Sequence, residues 1–422
     1  MGNKILLLIT ILSTCFVFAQ QKDTDLKTHQ RKTIQSDILN EAREFQVYLP
    51  PSYYFNNQGS FPVIYLMDGD YNYGYVTNLV ELLSSVSGKI PEFIIVGIAD
   101  KGKLRYRANC TPASVSGKNG NATNFMQFIE KELQPYIHNN YRASTYDILI
   151  GQSIGGLFVT NYLLERPETF NTYIAIDPAL WLGNYEIINR ADKHFESTKK
   201  LDASYFVSLA DTKQMGVRQM VGILDKHFPS EKNWHFMHFE NENHNSVGLL
   251  TIKQTLEQLF KNWEITRSQF YTFKSAQEII DHYHQLSTDF DTSFSIPSYF
   301  LGNVIYYYFN HKKEQDLSIL ENEITDKLPG SLEDFYIQLA TNYLETKQYK
   351  KALEIYQKRI KQNPTSYASY EGISKVYLAQ GKQKEALEMS KKSIEIAKKG
   401  DARQWMLNEL MANTVQIKNS KK

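Results

Sequence analysis

The sequence predicts a mainly parallel α/β sandwich followed by an all-helical region. Three observations point there. Short apolar runs alternate with helical segments between residues 45 and 263. One of those runs enters a Gly-x-Ser-x-Gly turn. The last third of the chain carries aromatic and small residues at a 34-residue spacing. At 422 residues the chain has length enough for two domains. With 47 Lys and Arg against 46 Asp and Glu, the net charge is +1, which offers no electrostatic argument for nucleic acid or an anionic membrane as partner.

The N-terminus reads as a secretory leader over residues 1–19. Lys4 supplies the positive start, residues 5–18 the apolar run, and Val17-Phe18-Ala19 a cleavage site before Gln20. A secreted or periplasmic location follows as an expectation. That run is shorter than the roughly 18 residues a membrane-spanning helix needs, and no other run reaches that length, so no transmembrane segment is expected. Leu12-Ser13-Thr14-Cys15 faintly resembles a lipoprotein box, but Thr before Cys fits it poorly, so lipid anchoring is the weaker reading. Cleavage would leave Cys110 as the sole cysteine. An internal disulfide and a cysteine-rich metal site are then both excluded, and Cys110 reads as a small buried hydrophobe rather than a nucleophile.

The α/β region is expected over 40–265. Its strands fall at 45–49, 62–67, 93–98, 147–150, 173–176, 205–209 and 235–239, several of them unbroken Ile/Val/Leu runs of the kind found in strands covered on both faces. Helices are expected at 76–86, 124–137, 156–165, 214–227 and 247–263, which gives the βαβ alternation of a parallel sheet between helical layers. After Trp263 the strand signal stops, and 274–417 reads as helical. Within it Tyr336, Tyr343 and Ala352 recur as Tyr370, Tyr377 and Ala386, 34 residues later. That period marks tetratricopeptide-like helix–turn–helix units, expected at about 333–366 and 367–400. Two units fall short of the three that such arrays need, so the flanking helices should supply the missing packing.

The chemistry centres on residues 146–157, where an apolar strand runs into Gly151-Gln152-Ser153-Ile154-Gly155 and a helix follows. This is a nucleophile elbow in its strand–turn–helix setting. The turn holds a serine hydroxyl at a helix N-terminus, where the dipole favours developing negative charge. A serine nucleophile needs a base, an orienting acid and an oxyanion hole. His244 is the candidate base, because it lies in a polar loop between the last strand and the last helix of the region, whereas His235 and His238 lie within the strand. For the acid, Asp211 follows the strand at 205–209 and sits between serine and histidine in chain order. Asp177, after the strand at 173–176, is the alternative. Either could instead cap a turn. One oxyanion donor is the Ile154 N–H. The second is expected from the turn Met67-Asp68-Gly69-Asp70, with the Asp70 N–H as candidate.

The stretches Val-Ile-Tyr-Leu-Met-Asp-Gly (63–69), Gly-Gln-Ser-Ile-Gly-Gly-Leu-Phe (151–158), Asp-Pro-Ala-Leu-Trp (177–181) and Glu-Asn-His-Asn-Ser-Val (242–247) resemble the putative esterase family, also called esterase D-like. The resemblance covers roughly residues 40–263. It implies an α/β-hydrolase fold with Ser153 as nucleophile, His244 as base and the Asp70 N–H in the oxyanion hole. Two departures stand out. Family members often carry Ser-Pro-Ser-Leu-Trp-Trp where this chain has Asp177 and Leu182 in place of the first Ser and second Trp. Their acid is often a Glu in a Gly-rich turn, where this chain has Ala210-Asp211-Thr212. The tail resembles the tetratricopeptide tails of some secreted bacterial members.

The resulting expectation is a secreted serine esterase acting on a small-molecule carboxylic ester or thioester, without cofactor or metal. The helical repeats would offer a surface for a protein partner. Two other readings use the same residues: a hydrolase-like domain without activity that binds through its repeats, and an acyltransferase.

Overall fold

A computed structural model describes residues 29–420 except 55, 57, 199, 231, 232 and 401. The leader expected over 1–19, with Cys15, lies outside the described residues. Eight strands form one sheet: β1 (His29–Ser36), β2 (Glu41–Tyr48), β3 (Phe61–Leu66), β4 (Ile94–Ile98), β5 (Ala143–Gln152), β6 (Thr172–Ile176), β7 (Ser204–Leu209) and β8 (Trp234–His238), in the spatial order β1-β2-β4-β3-β5-β6-β7-β8. β2 runs antiparallel to both of its neighbours, β1 and β4, and every pair from β4–β3 to β7–β8 is parallel. Seven of these strands are the ones expected from sequence. β1 was missed because His-Gln-Arg-Lys-Thr-Ile-Gln-Ser carries almost no apolar signal, as suits an edge strand with a solvated face.

Helices of more than one turn join the strands: α1 (Gly69–Glu81), α2 (Lys103–Cys110), α3 (Ala122–Phe128, continued by a π-helical turn into Gln134–Asn140), α4 (Ile154–Glu165), α5 (Leu182–Phe195), α6 (Val217–His227) and α7 (Val247–Leu259). Alternate residues of each strand feed opposite cores. On one face Val63, Tyr65, Val96, Leu149 and Tyr173 pack with Met126, Leu157, Phe158 and Leu224. On the other Ile64, Leu66, Ile95, Ile148 and Ile150 pack with Val76, Val80, Ile252 and Leu256. α5 departs from a regular helix in its first turn, where Gly183, Asn184 and Tyr185 all have positive φ.

Among the described residues eight further helices of more than one turn follow: α8 (Ala276–Asp289), α9 (Ser298–Asn310), α10 (Glu314–Lys327), α11 (Leu332–Glu345), α12 (Tyr349–Gln362), α13 (Tyr367–Ala379), α14 (Gln383–Lys399) and α15 (Gln404–Asn419). α11 with α12 and α13 with α14 form the hairpins at the two expected repeat positions. Tyr356 of α12 fills the space beside Gly372 of α13, where an added Cβ would stand 2.2 Å from the tyrosine Cζ. The buried Arg359 guanidinium bonds the buried Glu333 carboxylate, which also takes the Asn363 amide at 3.2 Å and ties α11 to the start of α13 through Ser366.

The core does not stop at residue 265. The sheet face built on Ile64, Ile95 and Ile150 belongs to one buried apolar cluster that also holds Trp263, Ile279, Tyr283, Phe294, Ile305, Phe335 and Leu339. Polar ties reinforce it: Arg403 near the C-terminus donates to both oxygens of Glu81 at 2.8 Å and to the Leu49 carbonyl at 2.8 Å. Among the described residues no helix is long and apolar enough to cross a membrane.

Candidate active site

β5 ends in Gly151-Gln152, and Ser153 turns the chain sharply into α4. Ser153 has φ 57° and ψ −115°, a region costly for a residue with a side chain. Neighbours hold the strain in place. The Ser153 N–H donates to the Ile176 carbonyl at 2.9 Å, and the Ser153 carbonyl accepts from Ala179 at 2.9 Å and Leu157 at 3.0 Å. The glycines are required by contact. A Cβ at Gly151 would stand 2.4 Å from the Gly155 carbonyl oxygen, and one at Gly155 would stand 2.5 Å from the Tyr106 hydroxyl and 2.9 Å from Asp68 Oδ2.

His244 follows β8 in the loop before α7, as expected. Its Nδ1 lies 2.6 Å from Oδ2 of Asp177, and its backbone carbonyl accepts from the Gln152 amide. Asp177 is fully buried at the end of β6 with φ 39°. Its other oxygen, Oδ1, accepts from the Ala210 N–H at 3.2 Å and the Thr212 hydroxyl at 2.9 Å, and its own N–H donates to the Ser208 carbonyl at 3.1 Å. The carboxylate is therefore held through Oδ1, which leaves Oδ2 facing the imidazole.

The carboxylate facing His244 is thus that of Asp177, the alternative candidate, and not that of Asp211. Asp211 is exposed, and its N–H donates to the Glu242 carbonyl at 2.8 Å. The reason is local. Ala210 and Thr212 turn toward Asp177, and Asp211 between them faces outward. The segment that carries Asp211 supplies hydrogen bonds to the Asp177 carboxylate. Asp177 had been the alternative candidate in the sequence, because it too follows a strand and precedes His244.

Ser153, Ile154 and His244 line one pocket of about 390 Å³, together with Arg107, Trp181, Thr212, Lys213 and Met215. Sequence reasoning missed Arg107, Lys213 and Met215, which lie in segments without a motif. Ile154 opens α4, so its N–H has no intrahelical acceptor. Asp70 stands in the first turn of α1, where its N–H is equally free of the helix ladder. Its carboxylate pairs with Arg31 at 3.1 Å and accepts from the Asp100 N–H at 3.0 Å. The two helix starts meet where Asp68 packs beside Gly155, although Asp70 is not itself on the pocket wall. Burial pushes the Asp68 carboxyl up to about 7, with Tyr106 opposing and Asp100 adding to the shift. Burial also pushes the Cys110 thiol well above its ordinary value, and the residue is fully enclosed, which fits a packing role. Among the described residues no group of three or more His, Cys, Asp or Glu is placed to hold a metal.

Residues 36–258 match the family model described as putative esterase. The ferri-bacillibactin esterase BesA of Bacillus subtilis is 28% identical over 214 residues, spanning 46% of this chain and 70% of that protein. The siderophore triacetylfusarinine C esterase of Aspergillus fumigatus is 27% identical over 251 residues, 50% of this chain and 85% of that protein. Among solved structures, an IroE-like serine hydrolase from Shewanella oneidensis superposes with a TM-score of 0.58 at 26% identity, covering 70% of this chain and 98% of that one. A family model that spans more than half of the chain, on an α/β-hydrolase sheet with a serine elbow, leads to one conclusion: the chain belongs to the putative esterase family and is a carboxylic ester hydrolase.

Proposed function

We propose that Ser153, His244 and Asp177 are the catalytic triad, and that the substrate is a siderophore-type ester with acidic character. The observation that carries the triad is the 2.6 Å contact between His244 and the buried Asp177, with His244 and the strained Ser153 sharing one pocket. His244 takes the proton from Ser153 Oγ as that oxygen attacks the ester carbonyl carbon. Asp177 holds the imidazole by its Nδ1–H and stabilises the imidazolium that forms. The tetrahedral oxyanion rests on the Ile154 N–H and, in this reading, the Asp70 N–H. Collapse expels the alcohol, protonated by His244, and leaves an acyl-serine. Water, activated by the same imidazole, then releases the acid and restores Ser153.

The substrate class draws on the relatives and on the pocket. One relative is named as a ferri-bacillibactin esterase and another as a siderophore triacetylfusarinine C esterase. Arg107 and Lys213 stand on the pocket wall, both exposed and neither with an ion-pair partner among the described residues, beside the half-exposed Trp181. Two free cations next to an aromatic face suit a ligand that is both aromatic and anionic. The leader over 1–19 places the reaction outside the cytoplasm in this proposal.

The test compares kcat/KM for a ferric catecholate trilactone, a neutral hydroxamate ester and a p-nitrophenyl ester, in wild type and in the double variant Arg107→Ala, Lys213→Ala. The double variant should lose at least tenfold on the anionic trilactone, the order expected when two charge-assisted contacts are removed, and little on the neutral esters. Equal losses on all three would remove the charge argument. Analysis of products with and without an added alcohol separates hydrolysis from acyl transfer.

A further inference from the structure

A cavity of about 520 Å³ lies between the hydrolase sheet and the helical tail, well away from Ser153. Phe61 and Pro62 on its wall open β3, and Ile90, Pro91 and Glu92 lead into β4. The catalytic residues follow the opposite ends of the parallel strands, and a five- to six-residue strand separates the two ends by about 17–20 Å. The cavity is therefore a different site.

Its walls combine aromatic rings with carboxylates. Trp263, Tyr283, Phe294 and Phe300 contribute rings. Four acids line it, and two of these are neutralised by the protein itself: Glu81 by Arg403 at 2.8 Å and Glu264 by Lys89 at 2.6 Å. The other two have no ion pair among the described residues. Asp334, from α11, is only 6% exposed. Its Oδ1 accepts from the Ser298 hydroxyl at 2.8 Å, and no partner is found for Oδ2 among the described residues. Glu92, from the hydrolase side, accepts from the Ser85 hydroxyl at 2.6 Å. Arg403 also acts on Glu92, but its guanidinium is already engaged by Glu81 and the Leu49 carbonyl. Burial pushes Asp334 up to about 7, and the charge of Glu92 adds to that shift. A buried Asp334 and a half-buried Glu92 facing one space, neither with an ion-pair partner among the described residues, are costly for the fold alone. A cation entering the cavity would remove that cost, and the rings would receive its apolar body.

We propose that this cavity binds an organic amine, its ammonium held between Asp334 and Glu92 and its aromatic or branched body set against Trp263, Tyr283 and Phe300. The ligand bridges the hydrolase sheet and the helical tail, and its binding is independent of the esterase reaction. The active-site pocket, walled by Arg107 and Lys213, disfavours the same ligand.

Isothermal titration of the full chain carrying Ser153→Ala, with phenethylamine, tryptamine and 1-naphthylmethylamine, each paired with its alcohol counterpart, tests the proposal. At least one amine should bind saturably with one site per chain. Its alcohol counterpart should bind about 10- to 100-fold more weakly, the range for a lost charged hydrogen bond. Asp334→Asn should weaken the amine to the same degree, and saturating amine should leave wild-type ester turnover unchanged. The proposal is overturned if no amine binds below about 10 mM, a weak limit for fragments of this size. It is equally overturned if amine and alcohol bind alike, or if binding survives in both Asp334→Asn and Glu92→Gln. Should the variants not fold, the amine–alcohol comparison on the Ser153→Ala chain decides by itself.

Discussion

At the scale of single residues, the two aspartates that end neighbouring strands differ in what surrounds them. Asp177 is buried and receives Ala210, Thr212 and His244, while Asp211 faces solvent. Asp177→Asn should lower kcat by roughly 10²–10⁴-fold, because an amide can hold the imidazole in the wrong tautomer. Asp211→Asn should stay within a few-fold of wild type. Steady-state turnover of a p-nitrophenyl ester checks both, and a reversed order of effects would return the acid role to Asp211. Asp68 allows a second test. Its carboxyl is raised to about 7 by burial, so the folded state holds a proton that the unfolded chain releases near pH 4. Folding stability conferred by the neutral group is complete below about pH 4 and is lost as pH rises through about 7. Asp68→Asn keeps the left-handed backbone that Asn tolerates and removes the titration. Relative to wild type, its Tm should therefore be higher at pH 8 than at pH 5. A Tm difference that does not change with pH would show that Asp68 does not titrate in this range.

At the scale of elements, the parts legible in the sequence were those carrying an unbroken apolar run or a glycine-bounded turn. β3 to β7, the elbow and the His244 loop all qualify. β1 was not legible, because an edge strand needs no apolar code. Neither was the first turn of α5, whose positive φ values at Gly183, Asn184 and Tyr185 leave no periodic trace. The choice between Asp211 and the alternative Asp177 was open for a related reason. β6 and β7 lie side by side with Ile176 opposite Ser208, so both aspartates follow the same end of the sheet. Only the turn of the backbone, visible in the φ of 39° at Asp177, decides which one faces the histidine. In the tail, Gly372 and Tyr356 form a lock between the two hairpins. Gly372→Ala should cost about 1–3 kcal/mol, the usual scale of core overpacking, because its Cβ would enter the tyrosine ring. Tyr356→Leu should relieve part of that penalty when combined with it. A double-mutant cycle in urea measures the coupling, and strictly additive effects would mean that the ring moves aside freely.

At the scale of the whole molecule, the hydrolase sheet and the tail share one core. The sequence placed a boundary near residue 265, since strand signal ends there and every catalytic candidate precedes it. Physically, Trp263, Tyr283, Phe294 and Phe335 cover the sheet face that ends in Ile64 and Ile95. A chain cut at about 265 should expose that face and aggregate. Size-exclusion chromatography with circular dichroism checks this, and a soluble, folded, monomeric fragment would show that the tail is an independent unit. The intact chain then permits the most direct test of the central claim, that an elbow serine driven by His244 and Asp177 hydrolyses the ester. The measurement is p-nitrophenyl ester turnover by full-length Ser153→Ala, with its fold verified by circular dichroism. The account predicts a loss on the order of 10³-fold or more in kcat with the fold intact. Turnover near that of wild type from a folded Ser153→Ala protein would contradict it.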